Sequence, residues 1–173
     1  GGILYRPYVV DRIEDATGVI EQTTPSGTRV LSLETARLLQ DALGMVVTGG
    51  TGTRARVSGF SAAGKTGTAQ KYDRKTGTYS LTKHVASFAG YAPADNPVLA
   101  AIVVIDEPRG EDGGGAVAAP VFARIVEQVM RYRSVVPDRP ETLPRFTEDS
   151  QSPESPQQPR FEDAVLTAWE VMD

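Results

Sequence analysis

The sequence predicts an α+β fold, an antiparallel β-sheet flanked by helices. Two observations carry this. Three β-like runs, residues 62–71, 85–92 and 98–105, follow one another across short polar turns, and short connections between consecutive strands favour antiparallel pairing. Apolar residues also recur at helical spacing on both sides of these runs: Ala36, Leu39, Leu43, Val46 and Val47 before them, and Val121, Phe122, Ile125, Val129 and Tyr132 after them.

Taken in order, residues 5–14 and 19–23 are rich in Val, Ile and Tyr and are separated by Ala16-Thr17-Gly18, which predicts a hairpin. Pro7 assigns it to an edge or an appendage, because proline cannot donate to a central ladder. Ser32 is placed to cap the first helix, with Glu34 in its first turn, and Gly49-Gly50 ends it. Residues 48–53 form a glycine-threonine loop that reads as a connector whose amides could meet an anion. Residues 73–80 are a polar turn region. Residues 99–105 are unbroken apolar and predict a buried central strand. The second helix is expected over residues 118–132, with Pro120 in its first turn.

Beyond residue 136 the character changes. Residues 137–173 hold 9 acids and 3 arginines, whereas residues 1–136 hold 13 acids and 15 bases, so the net charge of −4 belongs to the tail. Six of the 12 prolines lie in residues 137–159, a composition that predicts an extended linker. Phe161, Val165, Ala168, Trp169 and Met172 could line a short terminal helix. The chain is accordingly divided into a body, 1–136, and a Pro-rich acidic tail, 137–173. The body has no basic stripe, which argues against nucleic-acid binding. There is no cysteine, which excludes thiol nucleophiles, thiolate metal sites and disulfides. No apolar run approaches the roughly 20 residues that span a bilayer. The start at Gly1, without Met, suggests a piece of a longer parent.

One stretch carries chemistry, Gly59-Phe-Ser-Ala-Ala-Gly-Lys-Thr-Gly-Thr-Ala-Gln70, and it supports two readings. As Gly59-x4-Gly64-Lys65-Thr66 it fits a phosphate-binding loop, and Asp106, closing an apolar run, would then hold Mg²⁺. That reading needs a helix to start at Lys65-Thr66, yet Gly67 and the turn residues at 74–77 leave no room for one. As Lys65-Thr66-Gly67 it fits the active-site strand of serine acyl-transferases that react with penicillin. The repeat Lys75-Thr76-Gly77-Thr78 lacks aliphatic neighbours and reads as a solvated turn.

The second reading is joined by a wider likeness. Gly49-Gly-Thr-Gly-Thr-Arg-Ala, Ala63-Gly-Lys-Thr-Gly-Thr-Ala-Gln, Ser87-Phe-Ala-Gly-Tyr-Ala-Pro, Val103-Val-Ile-Asp-Glu-Pro and Gly114-Gly-Ala-Val-Ala-Ala-Pro-Val-Phe run in order over residues 1–136. Together they resemble the C-terminal part of the transpeptidase domain of class B penicillin-binding proteins of the cell-division type. The resemblance implies a partial domain of the fold shared with serine β-lactamases. The parent it implies is a serine D,D-transpeptidase that cross-links peptidoglycan stem peptides at the septum and binds β-lactams. Lys65 is then catalytic, Thr66, Gly67 and Thr68 bind substrate, and no metal or cofactor is needed. The implied partners are the stem peptide, β-lactams, the rest of the parent transpeptidase domain and divisome membrane proteins, on the periplasmic side of the inner membrane.

The family's Ser-x-x-Lys and Ser-x-Asn motifs have no credible counterpart here. Ser80-Leu-Thr-Lys83 matches by letters but follows the Lys-Thr-Gly strand. The isolated chain is therefore expected to be inactive. His84, the only histidine, reads as a surface turn residue. An apolar sheet face left bare by missing partner helices is also expected, open to dimerisation or strand exchange.

Overall fold

The computed structural model describes residues 1–143; the expected terminal helix at 161–172 lies outside them. Two small antiparallel pairs open the chain. Strand β1 (Ile3–Tyr5) pairs with β4 (Gly27–Arg29), and β2 (Arg12–Asp15) pairs with β3 (Gly18–Gln22). The hairpin expected around Ala16-Thr17-Gly18 is the β2–β3 pair. Its turn is fixed by the Asp15 carboxylate, which accepts the Thr17 amide at 2.7 Å and hydroxyl at 2.6 Å. These bonds hold the Asp15 carboxyl below its usual range. Pro7 falls between β1 and β2, outside any ladder.

Helix α1 (Leu33–Thr48) begins as its sequence dictates. Ser32 Oγ accepts the Thr35 amide at 3.0 Å, and the Gly49 amide closes the last turn on Met45 O at 3.0 Å. Val47 is buried and Leu43 and Val46 are half-buried, but Leu38, Leu39 and Met45 are exposed. A single 3₁₀ turn, Thr53–Ala55, leads on.

Three strands then form the main sheet in the order β5 (Ala63–Asp73), β6 (Thr78–Ala92), β7 (Leu99–Asp106), antiparallel throughout. Helix α2 (Gly114–Tyr132) packs on one face. Phe88 from β6 meets Phe122 from α2 with ring centroids 4.8 Å apart, and Val126 and Met130 complete a core without solvent exposure. Each such side chain contributes about 1.5–3 kcal/mol on leaving water.

Two expectations are corrected here. The central strand is β6. Residues 99–105 form most of the edge strand β7, in which Leu99, Ala101, Val103 and Ile105 pack on the core while Ile102 and Val104 are 68% and 57% exposed. An unbroken apolar run marks a strand covered on both faces, and among the described residues only one face is covered. The bare face anticipated from sequence is this one.

The second helix also starts four residues earlier than expected, so Pro120 lies inside it. Its buried face is Ala118, Ala119, Phe122, Ala123, Val126 and Met130, whereas Val121, Ile125 and Tyr132 are exposed. Two apolar stripes share this helix, and the periodicity alone does not say which one is inward.

Past α2 the chain returns across the body. Arg139 donates its amide to Gly59 O at 3.0 Å and Thr142 Oγ1 accepts the Gly59 amide at 2.8 Å. Asp138 accepts the Ser61 amide at 2.8 Å and also the Ser61 hydroxyl. Residues 138–142 thus strap the loop that leads into β5.

Candidate active site

Strand β5 holds all four candidate residues, and the strand register decides what each can do. His84 O accepts the Glu107 amide at 2.9 Å and Ala92 O accepts the Val98 amide at 3.1 Å. Backbone groups alternate in direction along an antiparallel strand. Even-numbered residues of β6 from His84 to Ala92 therefore bond toward β7, and Val85, Ser87, Ala89 and Tyr91 bond toward β5. Lys65 lies opposite Ala89 and Gly67 opposite Ser87, so β6 takes their amides and carbonyls. The backbone groups of Thr66 and Thr68 point out from the free edge of β5, where no described strand pairs.

The Thr66 and Thr68 side chains lie on the α2 face. Thr66 Oγ1 is 2.9 Å from Thr51 Oγ1, and Thr68 Oγ1 accepts the Gly114 amide at 3.1 Å. Thr66, Thr68, Gly50, Thr51, Arg54 and the start of α2 line an open pocket of about 500 Å³. The N-terminus of a 19-residue helix borders it and brings roughly half a positive charge. Lys65 is exposed, with Nζ donating to Thr66 O at 2.7 Å and lying 3.2 Å from Thr66 Oγ1. An ammonium, a helix dipole and two hydroxyls beside a strand edge that pairs with no described strand suit an anionic extended ligand.

Two glycines fix the fit. A Cβ on Gly67 would sit 2.6 Å from Ser87 Oγ. A Cβ on Gly114 would collide with the backbone oxygens of Ser87 and Gly67. Close approach of α2 to the sheet, with the Gly114–Thr68 bond that follows, needs glycine at 114.

The phosphate-loop reading fails on this geometry. No helix follows Lys65-Thr66, because β5 runs on to Asp73. The amides of Gly59 and Ser61 are taken by Thr142 and Asp138, the protein's own strap. Asp106 is paired with Lys71 at 2.8 Å. Lys75 lies in the exposed turn between β5 and β6, as expected. Ser80 lies in β6, its Oγ accepting the amides of Thr82 and Lys83 at 3.2 and 3.0 Å, and Lys83 reaches Glu107 instead, at 3.2 Å.

His84 is a further correction. It sits in β6 with its side chain 16% exposed, and Nδ1 is 3.0 Å from Asp112 Oδ2. The distance is that of a hydrogen bond, yet the buried Nδ1 makes none. Reasoning from sequence also missed Thr51, Arg54 and Gly114. The glycine-threonine loop and the Gly114-Gly-Ala-Val run marked their segments, but their convergence on Thr66 and Thr68 is a tertiary fact.

Comparison with known proteins shows the family of the chain. Residues 1–127 match the family model described as the penicillin binding protein transpeptidase domain. Stage V sporulation protein D of Bacillus subtilis is 41% identical over 142 residues, covering 79% of this chain and 22% of its own length. The probable peptidoglycan D,D-transpeptidase PenA of Neisseria gonorrhoeae is 40% identical over 124 residues, covering 70% and 21%. Among solved structures, penicillin-binding protein 3 of Mycobacterium tuberculosis, complexed with ampicillin, superimposes with a TM-score of 0.68 at 33% identity, over 84% of this chain and 35% of that one. The chain thus spans about a fifth of the length of these curated relatives.

Proposed function

Because this chain belongs to the penicillin-binding protein transpeptidase family, we propose that it supplies one wall of the active site of a serine D,D-transpeptidase that builds septal peptidoglycan. The nucleophilic serine and its lysine come from another segment of the parent, since no Ser-x-x-Lys of this chain is placed to serve. The parent serine adds to the penultimate D-Ala carbonyl of a stem peptide. The peptide bond breaks, D-Ala leaves carrying the proton, and an amine from a neighbouring stem takes the acyl group and returns the serine.

In this reading the hydroxyls of Thr66 and Thr68 seat the terminal carboxylate. Lys65 supplies positive charge and a proton path. The Thr68 amide, pointing from the free edge, donates to the oxyanion, an interaction of roughly 3 kcal/mol per donor. β-Lactams mimic the same stem terminus and acylate the same serine. The site faces outward from the inner membrane, where stem peptides and divisome proteins are found. The observation that carries the reading is the unpaired edge of β5, which presents Thr66 and Thr68 beside Lys65.

The isolated chain is expected to bind but not to turn over. Intact mass after incubation with ampicillin should show no covalent adduct. An adduct that disappears in Ser80→Ala would place the nucleophile inside this chain and overturn the division of labour.

A further inference from the structure

We propose that the adjacent acids Glu111 and Asp112 form a two-armed brace through which Arg54 and His84 act as positioning residues for the Thr66–Thr68 seat. The inference rests on the reading of that seat given above. The two arms reach opposite ways. Glu111 Oε2 takes Arg54 NH1 at 2.9 Å, on the 3₁₀ turn that follows the glycine-threonine loop, which brings Thr51 to Thr66. Asp112 Oδ2 meets His84 Nδ1 at 3.0 Å, on the central strand, where His84 lies opposite Gln70 of β5.

Each arm has an independent reason to be there. Pro120 carries no amide hydrogen, so the Ala116 carbonyl four residues earlier lacks its helical donor. Arg54 NH1 fills that position at 3.0 Å. The guanidinium therefore holds both the loop acid and the first turn of α2. On the other side, His84 Nδ1 is a buried polar atom that makes no hydrogen bond, and Asp112 Oδ2 stands 3.0 Å from it. The other charged groups near it do not compete for it. Lys71 is held by Asp106 and Glu107, and Lys83 by Glu107.

Between the two acids and the helix lies only Gly113, with no Cβ to limit it, and then comes Gly114, whose amide bonds Thr68 Oγ1. The N-cap Gly113 makes no side-chain cap bond, and in this proposal Arg54 and His84 share the placing of the helix start with the Thr68 bond. Moving that start moves the hydrogen atom that orients the Thr68 hydroxyl.

The test uses the parent transpeptidase domain carrying Glu111→Gln, Asp112→Asn, or both. Two quantities are read: hydrogen exchange at the Gly114 amide, and acylation by a chromogenic cephalosporin resolved into its binding and chemical steps. Exposed ion pairs are weak, so one cut arm should weaken cephalosporin binding no more than about fivefold. Both arms cut should exceed either alone, with faster Gly114 exchange and a nearly unchanged Tm. Unchanged exchange and binding in the double variant would overturn the brace. Thr68→Val separates the two possible failures. Unchanged binding there overturns the seat itself, whereas weakened binding there beside a silent double variant overturns the brace alone.

Discussion

Gly114 donates its amide to Thr68 Oγ1 at 3.1 Å, joining the first residue of α2 to the strand that carries the candidate site. Helix position and site geometry are thereby one variable. A perturbation at either residue is felt at the other.

The first consequence concerns volume. Gly114→Ala places a methyl against the backbone oxygens of Ser87 and Gly67, which cannot swing aside as a side chain would. Overpacking of this kind costs about 1–3 kcal/mol. Gly113→Ala meets nothing within 4 Å and serves as the control. Urea titration of the two variants should show a lowered midpoint for the first and little change for the second.

The strap gives a second prediction. Asp138 holds the Ser61 amide and hydroxyl, and Ser61 Oγ in turn accepts the Ala94 amide at 2.8 Å. Asp138→Ala removes two exposed hydrogen bonds beside the entry to β5, at a cost of about 0.5–1.5 kcal/mol each. Asp138→Asn retains an acceptor and should recover part of it. Thermal denaturation of the pair tests the order.

A third prediction concerns pH. Hydrogen bonds from Lys71 and Lys83 hold the Glu107 carboxyl below its usual range, and bonds to Asp106 and Glu107 raise Lys71 above its usual range. A depressed carboxylate contributes stability that is full above its unfolded value and is lost as pH falls through the folded one. A raised lysine contributes stability that is full below its unfolded value and is lost as pH rises through the folded one. The cluster should therefore favour the fold most across the neutral range and fade at both extremes. Glu107→Gln should flatten the acid limb of the stability curve. An acid limb identical to that of the parent chain would refute the assignment.

Core packing supports a fourth. Phe88 is fully buried against Phe122, and Phe88→Ala should cost about 3–5 kcal/mol. Tyr79→Ala, at a residue 63% exposed, should cost far less by the same urea titration.

Local chemistry was legible in the sequence wherever it depends on neighbours in the chain. Ser32 and Gly49 bound α1, Thr17 turns the first hairpin, and Gly67 denies a helix after Lys65. Coverage was not legible. The apolar run at 99–105 suggests burial on both faces of β7, but not that only one face is covered among the described residues. The same holds for the outer stripe of α2 at Val121, Ile125 and Tyr132. At the candidate site, the motif is what singles out Lys65, Thr66, Gly67 and Thr68. Arg54, His84, Glu111 and Asp112 could not, because their spacing along the chain is irregular and only the fold brings them to α2.

The most direct test of the central claim compares two lysines that share the tetrapeptide Lys-Thr-Gly-Thr. In the full-length parent, covalent labelling by a fluorescent penicillin should fall on the order of a hundredfold in Lys65→Ala and stay unchanged in Lys75→Ala. Equal labelling in both variants, at the parent's level, would contradict the assignment of this strand to the acyl-transfer site.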